Sequence, residues 1–285
     1  MADFDDLRLD KPPIPPPPPQ PRWVPLAAAA VLLIALAAVW YYLRRGADGD
    51  QAQPRSATEQ SIPQRPGLIE EPAANPDLPP LDESDAFVRD LVRALSEHPI
   101  VAAWLTSDQL IRTFTVSVMN VAEGDTPSRH LYTIRPEDTF QTRTRGAGTD
   151  IDARSYARFD GHAAAVAGLD PAGTARLYHT LKPRIDEAYR ELAGPDAVFD
   201  RALERAIVEL LGTPVVEGEV AVEPRAVGYG YADPSLESLS RAQQQLLRMG
   251  PRNVRAVQEK LRAVAGQLGI SEASLPRERI VQTGR

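Results

Sequence analysis

The chain has 285 residues, 43% of them hydrophobic, with 39 acidic and 32 basic side chains and a net charge of −7. This balance excludes broad electrostatic attraction to nucleic acid. The absence of cysteine excludes disulfides and thiolate sites and is compatible with an oxidising compartment.

Residues 1–22 form a proline-rich tail whose Pro12–Pro21 run reads as a stiff polyproline II spacer. Residues 23–44 read as a transmembrane anchor. Its core, Val24 to Leu43, carries no charge and is long enough to cross a bilayer of about 30 Å. Trp23 marks one membrane interface, and Trp40, Tyr41 and Tyr42 mark the other. A cleaved signal peptide fits less well, because the preceding region is long and proline-rich and Trp40–Arg45 follows without a break. Lys11 and Arg22 precede the span and Arg44, Arg45 and Arg55 follow it, so charge alone leaves orientation open. A short N-terminal tail and a large C-terminal part favour a cytoplasmic N-terminus and a periplasmic domain on a bacterial inner membrane. Residues 45–80 lack apolar periodicity and read as a disordered, proline-rich tether. The first 80 residues hold 16 of the 27 prolines, and the composition changes sharply after them.

From Leu81 the pattern is helical. Asp82-Glu83-Ser84 caps a helix running to about Glu97, with Phe87, Leu91 and Leu95 on one face. Ser107 caps a second helix through Leu110, Phe114 and Val118, ending at Gly124. Residues 125–149 hold no clear helix, and Thr139–Thr144 reads as a short strand. Asp152 opens a helix stopped by Gly168. Asp170-Pro171 opens a longer one, Gly194-Pro195 ends it and opens the next, and Gly212 closes that helix. Pro183 should kink or split the longer helix. Val215 to Val222 alternates as a strand or extended loop leading to Val227-Gly228-Tyr229-Gly230-Tyr231. Asp233-Pro234, Gly250-Pro251 and Leu268-Gly269 repeat the same punctuation, giving a second helical hairpin. Ordinary capping used twice explains the repeat better than a diverged duplication does. In the last helix, Val254, Val257, Leu261, Val264 and Leu268 form a seam suited to packing within the chain. The pattern predicts a mainly α fold: a multi-helix globular domain over 81–270 with antiparallel helical hairpins and one or two short strands. One transmembrane helix precedes it, and a flexible tail, 271–285, follows.

No sequence pattern names a reaction or a cofactor. His98, His130, His162 and His179 form no close metal-ligand pair, and nucleotide-binding and nucleophile-elbow motifs are absent. His162 and His179 lie on successive helices, with Asp160 and Glu187 nearby, and would supply an enzyme or metal site if they met. Two constellations stand above background. Tyr229 and Tyr231, spaced by glycine, suit either a ligand shelf or a cover over the following hairpin. Arg248, Arg252, Asn253 and Arg255 cluster around a helix N-terminus, where backbone donors and the dipole favour an anion or an acidic partner. The alternative for the arginines is a helical corner tied by internal salt bridges.

The stretch Tyr231–Asn253 resembles the signature of a bacterial family, domain of unknown function 3014. Leu78–Asp85, Leu177-Tyr178, Pro183, Glu187-Ala188-Tyr189 and Phe199 fit it as well. The likeness covers about 78–265 and implies a single-span envelope protein with no assigned activity and no catalytic residues. Where the family carries a lysine, this chain has Gln244. The expectation is a membrane-anchored binding or scaffold module for an envelope protein or wall polymer. An envelope hydrolase and a passive spacer are the alternatives.

Overall fold

A computed structural model describes residues 78–146 and 148–283. The proline-rich tail, the predicted span and its interface aromatics, and the tether up to residue 77 lie outside the described residues. Among the described residues, no helix is long and apolar enough to cross a membrane.

The described chain is mainly helical, as its periodicity predicts. Helix α1 (Asp85–Leu95) buries Val88 and Val92. A short α2 (Pro99–Trp104) precedes α3 (Leu110–Ala122). Ser107 does not cap α3; it is buried and its hydroxyl bonds Thr133 Oγ1 at 3.1 Å. Instead the Asp85 carboxylate accepts the amides of Gln109 and Leu110, each at 2.8 Å, while Gln109 adopts a left-handed φ of 53°. A carboxylate from α1 thus satisfies the orphan donors of α3, a long-range cap that local sequence does not reveal.

The predicted helix from Asp152 to Gly168 is two: α4 (Ala153–Ala157) and α5 (Asp160–Ala167). Helix α6 (Pro171–Ala193) starts as expected, with Asp170 accepting the Gly173 amide at 2.7 Å and Pro171 at the first position. Pro183 neither ends nor splits it. The ring is on the exposed face, where the carbonyl one turn back can be hydrated. Helix α7 (Phe199–Leu211) begins later than Pro195, after a turn.

Helices α3, α6 and α7 pack together around Phe199, which is fully buried. Its ring lies 5.4 Å from Tyr189, edge to face, 5.9 Å from Phe114 and 6.3 Å from Tyr178. Such contacts add about 0.5–1.5 kcal/mol per pair beyond area burial.

More strands form than the one or two expected. Strands β1 (Thr142–Arg145) and β2 (Gly148–Ile151) make an antiparallel hairpin, with Thr142 opposite Ile151. Strands β4 (Val222–Pro224) and β5 (Tyr229–Tyr231) make another, with Val222 opposite Tyr231, and β3 (Val215–Glu217) precedes them. The Ile151 amide donates to Val220 at 2.9 Å, joining the two hairpins. Strand β1 overlaps the expected Thr139–Thr144 strand and β3 opens the expected Val215–Val222 stretch; β2, β4 and β5 were not expected, each being only three or four residues long, too short for alternation to register. They cover a second core of Ile151, Val216, Val220, Val222, Tyr231, Leu236 and Leu247.

The predicted helix from Pro234 to Gly250 is also two. Helix α8 (Pro234–Glu237) stops, and Ser240 and Gln243 form a capping box that opens α9 (Arg241–Leu247). Helix α10 (Pro251–Gln267) follows and packs on α5, α6 and α7. Residues 271–283, expected as a tail, meet the fold: Leu275 is buried, and β6 (Ile280–Gln282) runs parallel to β3.

The cores are joined at the end of α7. The buried Gln258 of α10 donates through Nε2 to the carbonyls of Leu210 (3.1 Å) and Thr213 (2.9 Å). Gln243 donates to Glu209 at 3.1 Å. Side chains from two other helices therefore satisfy the last carbonyls of α7. Gln258→Met keeps the volume but leaves the Thr213 carbonyl without this donor, while the Thr213 amide still serves Leu210. We expect it to destabilise the fold by about 1–3 kcal/mol in urea unfolding.

Candidate functional site

The turn between α9 and α10 is built around a close approach. Gly250 has φ 79°, and a Cβ there would stand 2.6 Å from Cγ of the Tyr156 ring, so glycine is required. Pro251 then occupies the first position of α10.

Three of the four polar residues expected to bind an anion here are engaged internally. Arg252 pairs with Asp160 at 2.5 Å. Asn253 is buried and reaches the Asp160 carboxylate (2.8 Å), the Met249 carbonyl (3.0 Å) and the Tyr156 carbonyl (3.3 Å). Arg252, followed by Asn253, holds the Asp160 carboxyl below the usual range. Arg255 pairs with Glu217 and, at 3.2 Å, with Glu278. This part of the cluster fastens α10 to α5, β3 and the C-terminal segment.

Arg248 differs. It ends α9, and its guanidinium lies beside the Tyr231 hydroxyl. Arg158, between α4 and α5, is close enough that its pKa is lowered, first by burial and then by Arg248, against a weaker pull from Asp138. Arg158 stacks over Phe159 (4.7 Å) and Phe140 (5.6 Å), a cation–π arrangement worth about 0.5–2 kcal/mol depending on desolvation. Its Nε donates to the Ser155 carbonyl at 2.9 Å. Among the described residues, neither Arg158 nor Arg248 forms an ion pair with a carboxylate.

The two tyrosines divide as well. Tyr231 is buried; its amide donates to Glu237 at 2.7 Å, and burial, the leading cause, raises its phenol to about 12. It is therefore a neutral hydroxyl beside Arg248 at physiological pH. Tyr229 is partly exposed, with its ring 5.7 Å from Phe140. The fold thus links Arg248 and Tyr231, and Phe140 bridges Arg158 to Tyr229. Arg158 and Phe140 escaped the sequence reading because ninety residues separate Arg158 from Arg248, and no local pattern marks them.

The histidines do not converge. His162 Nε2 lies 2.5 Å from the Ile134 carbonyl, and its ring meets Phe159. His179 lies against Tyr178, and Glu187 pairs with Arg184 at 2.7 Å. Among the described residues, no group of three or more His, Asp or Glu is placed to hold a metal ion. Tyr178, Asp200, Lys182 and Asp186 form a separate network. The Tyr178 hydroxyl donates to Asp200, and Lys182 lies 2.9 Å from Asp186 and 3.1 Å from Asp200. Burial pulls the Lys182 pKa down, but the two carboxylates outweigh it and the net shift is upward.

The two kinds of residue at this corner separate by stability. Asn253→Ala should cost about 1–3 kcal/mol, because it removes the buried amide that serves the Met249 carbonyl and the Asp160 carboxylate. Arg248→Gln removes a like charge from beside Arg158 and should leave the thermal unfolding midpoint unchanged or raise it. A loss matching that of Asn253→Ala would make Arg248 a structural tie.

No curated protein and no solved structure matches the chain. The family model described as "Protein of unknown function (DUF3014)" matches residues 110–265, a segment that includes Arg158, Phe199, Tyr231, Arg248 and the Gly250–Asn253 turn. The chain therefore belongs to the DUF3014 family.

Proposed function

We propose that this protein is a membrane-tethered binding module of the bacterial envelope that captures an anionic group of a partner through Arg158 and Arg248. In this reading residues 24–43 cross the inner membrane once, with the N-terminus cytoplasmic. Residues 45–77 tether the multi-helix domain in the periplasm, and the partner is an envelope protein or wall polymer that presents carboxylates or phosphates.

The observation that carries the proposal is a guanidinium, Arg158, held over Phe140 and Phe159, which like Arg248 forms no ion pair with a carboxylate among the described residues. Like charges held near each other and partly desolvated are unfavourable unless something offsets them. Stacking on Phe140 and Phe159 offsets part of the cost and fixes one guanidinium plane for bidentate contact with an oxyanion. Arg252 and Arg255, only a turn away on α10, have acidic partners. A tether adds affinity by raising the local concentration of the domain near envelope partners.

The test compares full-length protein with Arg158→Gln and Arg248→Gln variants in crosslinked envelope fractions. A charged hydrogen bond is worth about 1.5–3 kcal/mol, so each change should reduce capture of a specific partner by roughly ten- to a hundred-fold. Capture should also weaken with added salt. Unchanged capture by the double variant would overturn the proposal.

A further inference from the structure

A wholly apolar space lies away from the arginines. A partly enclosed cavity of about 270 Å³ opens between α1, α2, α3 and α6, with Val92, Leu95, Trp104, Ile111, Leu177 and Ile185 among its walls. A second hollow of about 190 Å³ shares Val101, Trp104 and Leu169 with the first. Three residues with polar groups line the larger cavity, Trp104, Thr174 and Tyr178, but no polar atom is exposed to it. The Thr174 hydroxyl donates to the Asp170 carbonyl at 2.8 Å, and the Tyr178 hydroxyl donates to Asp200. A peptide backbone or a sugar would find no hydrogen-bond partner there. The occupant must be apolar along its buried length.

Size and shape narrow the choice. An engineered cavity of roughly 150 Å³ accepts benzene, so about 270 Å³ suits a flexible chain of roughly ten carbons. Two hollows with shared walls suit an elongated ligand better than a compact ring. The position of the chain outside the structure points the same way. Arg184 donates to the carbonyls of Pro79 (2.7 Å) and Leu78 (3.0 Å), so the N-terminal segment meets the domain beside Ile185, a wall residue of the cavity. Only residues 44–77 separate that point from the apolar run ending at Leu43.

We infer that the cavity between α1, α2, α3 and α6 binds a single acyl chain, with Trp104 in contact with it. This inference rests on the membrane anchoring of the proposed function for its source of acyl chains, but not on the arginine pair, because an uncharged chain needs no cation.

Trp104 provides the readout. Full-length protein carrying Trp23→Phe and Trp40→Phe, which leaves Trp104 as its one tryptophan, is reconstituted in nanodiscs. It is titrated with 10-bromodecan-1-ol, and in a second arm it is placed in nanodiscs of phosphatidylcholine brominated on its acyl chains. Saturable quenching of Trp104 that Val101→Phe or Leu95→Phe abolishes is expected, provided the filled variant unfolds cooperatively. Quenching in the brominated-lipid arm identifies the source as a bilayer lipid; quenching by the alcohol alone identifies it as a free chain. Absence of quenching in both arms, or quenching that neither filling substitution reduces, overturns the inference. Loss of quenching together with normal partner capture removes the cavity site and leaves the arginine reading intact, and the converse result separates them in the other direction.

Discussion

The burial of Phe199 at the start of α7 is the contact on which the rest of the domain depends. Its ring meets aromatic side chains from α3 and from two turns of α6, and so fixes three helices at once. With α7 held at its first residue, its far end is placed for Gln243 and Gln258 to satisfy the last carbonyls. Those two glutamines attach α9 and α10, and with them the small β layer. Removing the ring would leave a cavity at the centre of three helices, a loss of about 3–5 kcal/mol and a large part of the stability of any domain of this size.

The same geometry explains why neighbouring arginines behave differently. The seat of Gly250 against Tyr156 brings the first turn of α10 onto α5, where Asp160 receives Arg252 and Asn253. Arg248 precedes that turn and is directed to the β layer, where Tyr231 is buried and Arg158 is already stacked on two phenylalanines. One corner thus contains a neutralised fastening and an un-neutralised pair of cations. Stability depends on the first, and on the proposed reading recognition depends on the second.

Much of the helical layout was legible because capping chemistry is local. Asp170-Pro171, Asp233-Pro234 and Gly250-Pro251 mark true helix starts, and the seam from Val254 to Leu268 faces the interior. The departures have non-local causes. Asp85 caps α3 across more than twenty residues, Ser240 opens a new helix where one was expected to continue, and Pro183 is tolerated because its ring faces water. The β1–β2 and β4–β5 hairpins close locally, but the Ile151–Val220 bond that joins them is long-range, and β6 is recognisable only through β3. At the site, residue type pointed to an arginine corner and a tyrosine pair, but which arginine is neutralised depends on Asp160, Glu217 and Glu278, whose proximity only the fold establishes.

The central claim is that Arg158 and Arg248 together form an oxyanion receptor. Guanidinium Nε–Hε resonances of the full-length protein in nanodiscs, followed by NMR during titration with a polyglutamate peptide, test it most directly. The account predicts that the Arg158 and Arg248 signals move along one shared saturation curve that added salt weakens, while those of Arg252 and Arg255 stay in place. Movement of Arg252 or Arg255 in their stead, or no movement of the Arg158 and Arg248 signals, would contradict it.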